Sequence, residues 1–240
     1  MAAPRGEFTS RFGFLMAASG SAVGLGNIWG FPTNAASNGG AAFLFTYLIL
    51  AFALAYPALM AELIIGRYAR ANAVTALRTI SSGNKTRLLA LLVGFIGIVT
   101  VSFILSFYGI VSGWMIAFFF DPVARLLGAS QLSAWLTNDA VIRNSLFVVL
   151  FMLLTIYIIS AGVKEGIEKW ASRLMPSLIV ILLLLIVYVL TLPGAMDGLR
   201  AYLIPDFSLI ADPSLLVDAM GQAFFSLSLG VGTMLIYGSY

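Results

Sequence analysis

The chain has 240 residues, 61% of them hydrophobic and only 10% charged, with a mean hydropathy of +1.02. A soluble domain runs near half apolar and about a quarter charged, so this composition excludes one. His and Cys are both absent, which removes disulfides, thiolate nucleophiles, imidazole bases and the usual zinc sites, and with them most enzyme mechanisms. The net charge of +3 comes from basic residues spread thinly along the chain. They form no cluster of the kind that neutralises a nucleic-acid backbone.

Six apolar segments are long enough to cross a bilayer: residues 12–31, 41–65, 88–120, 146–163, 170–192 and 215–237. They predict an all-α membrane protein, with residues 1–240 forming a single multi-pass domain and no room for a separate soluble one. The third segment is the longest, which predicts a strongly tilted helix or one that projects beyond the hydrocarbon. Charges fall almost entirely between the segments; Glu62 stands out inside the second, while Arg173 and Asp218 fall in the first turn of the fifth and sixth. Six crossings place both termini on one side. That side carries ten of the thirteen basic residues, from Arg5 and Arg11 through Arg67 to Arg87 and Lys164 to Arg173, against Arg125, Arg143 and Arg200 opposite. The bias predicts a cytoplasmic N-terminus in a cell membrane, plasma or bacterial inner.

Segment one reads Gly20-Ser-Ala-Val-Gly24-Leu-Gly26-Asn27-Ile-Trp-Gly30-Phe-Pro32, placing four glycines and an Asn in the middle of a span. In lipid every backbone group needs an internal partner, so such a sequence predicts a helix that breaks where it faces a polar cavity. Close helix packing is the other reading, because Gly20/Gly24 and Gly26/Gly30 are both GxxxG pairs. Segment six has a similar centre, Gly221-Gln222-Ala-Phe-Phe225-Ser226-Leu-Ser228-Leu-Gly230-Val-Gly232-Thr233. Two interrupted segments, first and sixth and therefore crossing in opposite directions, are what the matching helices of a five-plus-five inverted repeat would be. At such breaks freed N–H groups attract an anion and freed carbonyls a cation. An amino acid carboxylate and a sodium ion meet both demands, and Asn27 and Ser226 offer hard oxygens for the sodium.

The segment from Gly20 to Trp29 with Phe31-Pro32, then Asn38-Gly-Gly-Ala-Ala-Phe43, Glu62 before Gly66-Arg67-Tyr68, Gly162-Val-Lys-Glu-Gly-Ile-Glu-Lys169, and Gly221 to Gly230 together resemble the neurotransmitter:sodium symporter family, in particular its prokaryotic amino acid transporters. The resemblance runs from Arg5 to Tyr240, in register with the N-terminal half of that family. It implies the leucine-transporter-type inverted-repeat bundle, with residues 11–192 as the first five-helix repeat and 214–240 as the first helix of the second. It also implies sodium-coupled uptake of a neutral amino acid, apolar by the lining of its pocket, through alternating access.

By the same resemblance, the Ala22 carbonyl, Asn27 and Ser226 would hold one sodium, and the carbonyls of Gly20 and Val23 part of a second. The remaining ligands of the second come from a later helix of the fold. The substrate carboxylate would meet the N–H groups of Leu25 and Gly26 and the Tyr108 hydroxyl. Its amino group would meet carbonyls of Ala22, Phe225 and Ser226, with Ser228 nearby. Ile104 and Val231 would line the side-chain pocket under a Phe225 lid, and Gly24, where monoamine members carry Asp, favours a true amino acid. Tyr47, Gln222 and Ser226 match a chloride site, and chloride use stays undecided. Arg5 and Phe8, assisted by Tyr240, match a cytoplasmic gate, though Arg5 also reads as a simple positive-inside charge. Glu62 would support the unwound part of helix six, or else reach the headgroups or Arg67. Gly30 departs from the Arg that many members use at the outer gate. The chain stops just after segment six, so an incomplete transporter is expected, with a non-transporting fragment or a regulatory module as the alternative. A homodimer is one assembly open to it.

Overall fold

A computed structural model describes residues 6–210 and 212–240; Arg5 lies outside them. The described residues fold into twelve α-helices: α1 (Arg11–Ala22), α2 (Phe31–Ser37), α3 (Ala41–Leu50), α4 (Tyr56–Ala69), α5 (Ala73–Thr79), α6 (Asn84–Leu126), α7 (Ser130–Thr137), α8 (Val141–Ser160), α9 (Lys169–Leu190), α10 (Ala195–Leu203), α11 (Pro213–Ser226) and α12 (Thr233–Gly238). By length and composition α6, α8, α3 with α4, and α9 with the turn before it can each cross a membrane, and the bent pair α1/α2 makes a fifth. Where the sequence predicts a sixth span, the described residues form α11 and α12. Residues 227–232 divide it into two pieces, each too short to cross alone. The chain is a multi-pass membrane protein.

Several boundaries move relative to the sequence expectation. The third span, expected over 88–120, runs through 43 residues, about 65 Å at 1.5 Å per residue, and continues past Pro122. It thereby takes in the carboxylate of Asp121. Asp121 is satisfied there by the Ser133 hydroxyl at 2.5 Å and by Arg125 at 2.9 Å, and these bonds pin the short α7 against the end of α6. The second span is continuous over Ala41–Ala69 but widens into a π-helical turn at Ala51–Ala55, just before Pro57. Such a turn absorbs the backbone mismatch that a Pro creates.

Packing between spans rests on small residues, as it must where lipid is as apolar as leucine. At Gly66 and Gly238 the backbones of α4 and α12 touch: a Cβ on either would overlap the Leu235 or Leu63 carbonyl oxygen. At Gly113, α6 approaches α8 so closely that a Cβ would stand 2.9 Å from the Val148 nitrogen. The buried apolar clusters are likewise rich in alanine. Ala55 and Ala223 with Leu229 and Met234 join α11 and α12 to the second span, and Ala35 and Ala219 pack with Phe43. The large aliphatic residues of α6, α8 and α9 are mostly exposed outward, the arrangement expected where the surroundings are hydrocarbon. Outside the spans, Asp212 caps α11. The Ser214 hydroxyl at 2.8 Å and its N–H at 2.9 Å hold that carboxyl below the usual carboxylate range.

Candidate functional site

Both glycine-rich segments are broken. α1 ends at Ala22 and the backbone turns extended at Val23. A π-helical turn at Gly26–Gly30 then leads into α2, and the two halves meet at 60°. In segment six, α11 ends at Ser226 and α12 starts at Thr233. Three residues between them have positive φ, Ser228 (53°), Gly230 (83°) and Gly232 (83°). Glycine takes this conformation freely, and Ser228 is held in it by donating its hydroxyl to the Ser21 carbonyl at 2.9 Å.

The two breaks meet in one polar cluster. The Ser226 hydroxyl donates to Asn27 Oδ1 at 2.7 Å, and Asn27 Nδ2 donates to the Ala22 carbonyl at 2.8 Å. Gln222, buried one turn before Ser226, brings its Nε2 within 3.1 Å of the Gly26 carbonyl, 3.2 Å of Ser226 Oγ and 3.4 Å of Asn27 Oδ1. Its Oε1 accepts from Asn34 at 3.2 Å. The carbonyl, amide and hydroxyl oxygens of Ala22, Asn27 and Ser226 are neutral and hard, a donor set that suits an alkali cation. No group of three or more acidic, His or Cys side chains gathers among the described residues.

Beside the cluster lies a cavity of about 250 Å³ lined by Gly20, Ser21, Ala22, Val23, Gly24, Val101, Ile104, Tyr108, Phe225, Ser228, Leu229, Val231 and Thr233. Among the described residues no hydrogen bond reaches the carbonyls of Gly20 and Val23, or leaves the N–H groups of Leu25 and Gly26. Those are the free acceptors and donors that the ends of broken helices are left with. Tyr108 closes one wall, its hydroxyl only 3.0 Å from where a Cβ on Gly24 would stand. A second, wider cavity of about 570 Å³ carries Leu25, Gly26, Trp29, Gly30, Thr33, Phe103 and Phe107. Ile104, Tyr108 and Phe225 face both cavities, and the Phe225 ring lies against Gly26 so closely that a Cβ would overlap it. The expected substrate residues are thus shared between two chambers, with Phe225 between them. Gly30 has open space beside it, and no charged side chain lines the wider chamber.

The other expected residues are placed as follows. Glu62 Oε1 accepts the Gly230 N–H at 2.8 Å, inside the break of segment six, and no ion pair joins it to Arg67. Arg67 instead donates to the Tyr240 carbonyl at 3.2 Å. Phe8 stacks on Tyr237 with ring centroids 6.1 Å apart and meets Tyr240 edge-on at 6.1 Å. These residues border a third cavity, of about 580 Å³, at the N-terminal side. Tyr47 packs edge-on against Phe31 at 5.0 Å, while Gln222 and Ser226 bond each other.

Three features escaped the sequence reading. Gln222 was assigned only to chloride, yet it bridges both broken helices. The Ser21 carbonyl holds Ser228. Glu168 accepts three hydrogen bonds from the start of α1, at Thr9 and Ser10. The motif around Glu168 was visible, but no sequence signal linked residues nearly 160 positions apart.

Known proteins place this geometry. Residues 5–145 and 128–240 match the sodium:neurotransmitter symporter family. An uncharacterized sodium-dependent transporter of Bacillus subtilis is 38% identical over 98% of this chain and 52% of its own length. Another, of Methanocaldococcus jannaschii, is 34% identical over 98% and 49%. The sodium- and chloride-dependent taurine transporter of Bos taurus is 31% identical over 98% and 44%. The crystal structure of MhsT in complex with L-phenylalanine matches with a TM-score of 0.81 and 38% identity, covering 99% of this chain and 54% of that one. The chain spans about half the length of the relatives it matches. It belongs to the sodium:neurotransmitter symporter family, a family of sodium-coupled transporters rather than enzymes, and carries its leucine-transporter-type fold.

Proposed function

We propose that this chain supplies the sodium and substrate seat of a symporter that takes up a neutral, apolar amino acid by alternating access. The observation that carries the reading is the meeting of Ala22, Asn27 and Ser226 through the Asn27 side chain, which donates to the Ala22 carbonyl at 2.8 Å and accepts from Ser226 at 2.7 Å, where two broken helices meet beside the 250 Å³ cavity. Sodium would replace the hydrogen bonds that now close this cluster, and the substrate carboxylate would sit against the free N–H groups of Leu25 and Gly26 and the Tyr108 hydroxyl. The uncharged walls at Val101, Ile104, Leu229 and Val231 favour an apolar side chain. The phenylalanine bound by MhsT agrees with that lining, while the taurine transporters among the relatives mark the rival class.

Residues 11–192 serve as the first repeat and 214–240 as the opening helix of the second. The free carbonyls of Gly20 and Val23 form part of a second sodium site. The basic bias places the N-terminus in the cytoplasm, and Phe8 with Tyr240 closes the path on that side. Uptake of radiolabelled phenylalanine and taurine into proteoliposomes holding the intact protein tests this reading. Accumulation of phenylalanine under a sodium gradient, and not under an equal potassium gradient, is expected. Sodium-independent uptake, or taurine in preference to phenylalanine, overturns it.

A further inference from the structure

On the side of the N-terminus, a buried carboxylate fixes the start of α1. Glu168, last residue of the π-helical turn before α9, is 6% exposed. Its Oε2 accepts the Thr9 N–H at 2.7 Å, and its Oε1 accepts the Thr9 hydroxyl at 2.7 Å and the Ser10 hydroxyl at 3.1 Å. Ser10 is also the N-cap of α1, accepting the Gly13 N–H at 2.9 Å, so the negative charge sits at the positive end of that helix. Gly13 leaves the room for it, because a Cβ there would overlap the carboxylate. No basic side chain among the described residues forms an ion pair with Glu168. Its three donors all come from the entry to α1.

The far end of α1 carries Gly20 and Ala22, which face the cavity beside the sodium cluster. A rigid helix tied at one end and lining the seat at the other transmits displacement from one to the other. Separation of α1 from α9 would exchange protein donors for water on a carboxylate at the membrane edge. Water on the freed carboxylate offsets most of what the protein donors supplied, so the contact can form and break reversibly. We propose that Glu168 is a positioning residue, a latch that seats the first half of the broken helix on α9 and keeps the seat closed to the N-terminal side. The role rests on the symport reading, since only alternating access needs such a latch.

These 240 residues contain no cysteine, so a reporter placed among them is their one thiol, and its labelling is read against the intact protein without the reporter. Ala17 lies on α1 and is 2% exposed. In the intact protein in proteoliposomes, without sodium or amino acid, Ala17→Cys should react slowly with a membrane-impermeant maleimide added on the N-terminal side. Adding Glu168→Ala, which removes every acceptor, should speed labelling at least tenfold; Thr9→Val with Ser10→Ala, which leaves only the Thr9 N–H bond, should speed it less, and all three together should do no more than Glu168→Ala alone, because they cut one interaction. Unchanged labelling overturns the latch. So does equal acceleration at Ala219→Cys, buried in a separate cluster, which would report general loosening. Labelling does not require transport. A protein that labels as expected and fails to transport defeats the symport reading alone, and one that transports with unchanged labelling defeats the latch alone.

Discussion

Replacing Gly66 by alanine tests whether the contact between α4 and α12 supports the second helix break. A Cβ at Gly66 would overlap the Leu235 carbonyl oxygen and stand 2.9 Å from its carbonyl carbon and 3.1 Å from its Cα. Carbon atoms pack near 3.5 to 4.0 Å, so α12 must retreat by about 1 Å. The obstacle is backbone, which cannot turn aside as a side chain can. The same interface is tight again at Gly238 against Leu63, and the Glu62 to Gly230 bond at 2.8 Å spans the same pair of elements. Overpacking of this kind costs about 1 to 3 kcal/mol, and stretching the Glu62 bond adds about 1 to 3 kcal/mol for a half-buried carboxylate left short of a donor. Melting of the purified protein in detergent, followed by tryptophan fluorescence, should fall by about 4 to 24 °C at about 2 to 4 °C per kcal/mol. Gly198→Ala is the control, since nothing lies near a Cβ there, and it should leave the midpoint unchanged or slightly raised. Equal midpoints for the two variants would refute the reasoning.

Three other substitutions probe the seat. Ser226→Ala removes the donor to Asn27 Oδ1 and one oxygen of the cluster, so half-saturation for sodium in an equilibrium binding assay should rise about 10- to 100-fold, whereas Ser226→Thr, which keeps the hydroxyl, should stay within a few-fold. Gly26→Ala drives a methyl into the Phe225 ring; amino acid affinity should drop at least tenfold with little loss in melting temperature, as measured by ligand binding and thermal scans of one preparation. Glu62→Leu strips the Gly230 N–H of its acceptor and should abolish sodium-dependent binding, while Glu62→Gln, still able to accept that bond, should retain measurable binding in the same assay.

The parts of this architecture that depend on local composition were legible in the sequence. Four glycines around Asn27, and Ser228 with Gly230 and Gly232, cannot make a stable aliphatic span, so both breaks could be located from residue type alone. Helix ends were less legible. Asp121 and Arg125 look like a loop after an apolar run, yet they satisfy each other and Ser133, so α6 continues past them. Long-range polar partners were least legible. Gln222, Asn34 and Glu168 take their meaning from groups brought together only by the packing of distant spans, and neither periodicity nor spacing encodes those partners.

The central claim is that one seat holds sodium and an apolar amino acid together. Isothermal titration of the intact protein with phenylalanine, in sodium and then in potassium at equal ionic strength, tests it most directly. Saturable heat is expected in sodium, with an affinity at least tenfold weaker in potassium. Equal binding in the two salts would contradict it.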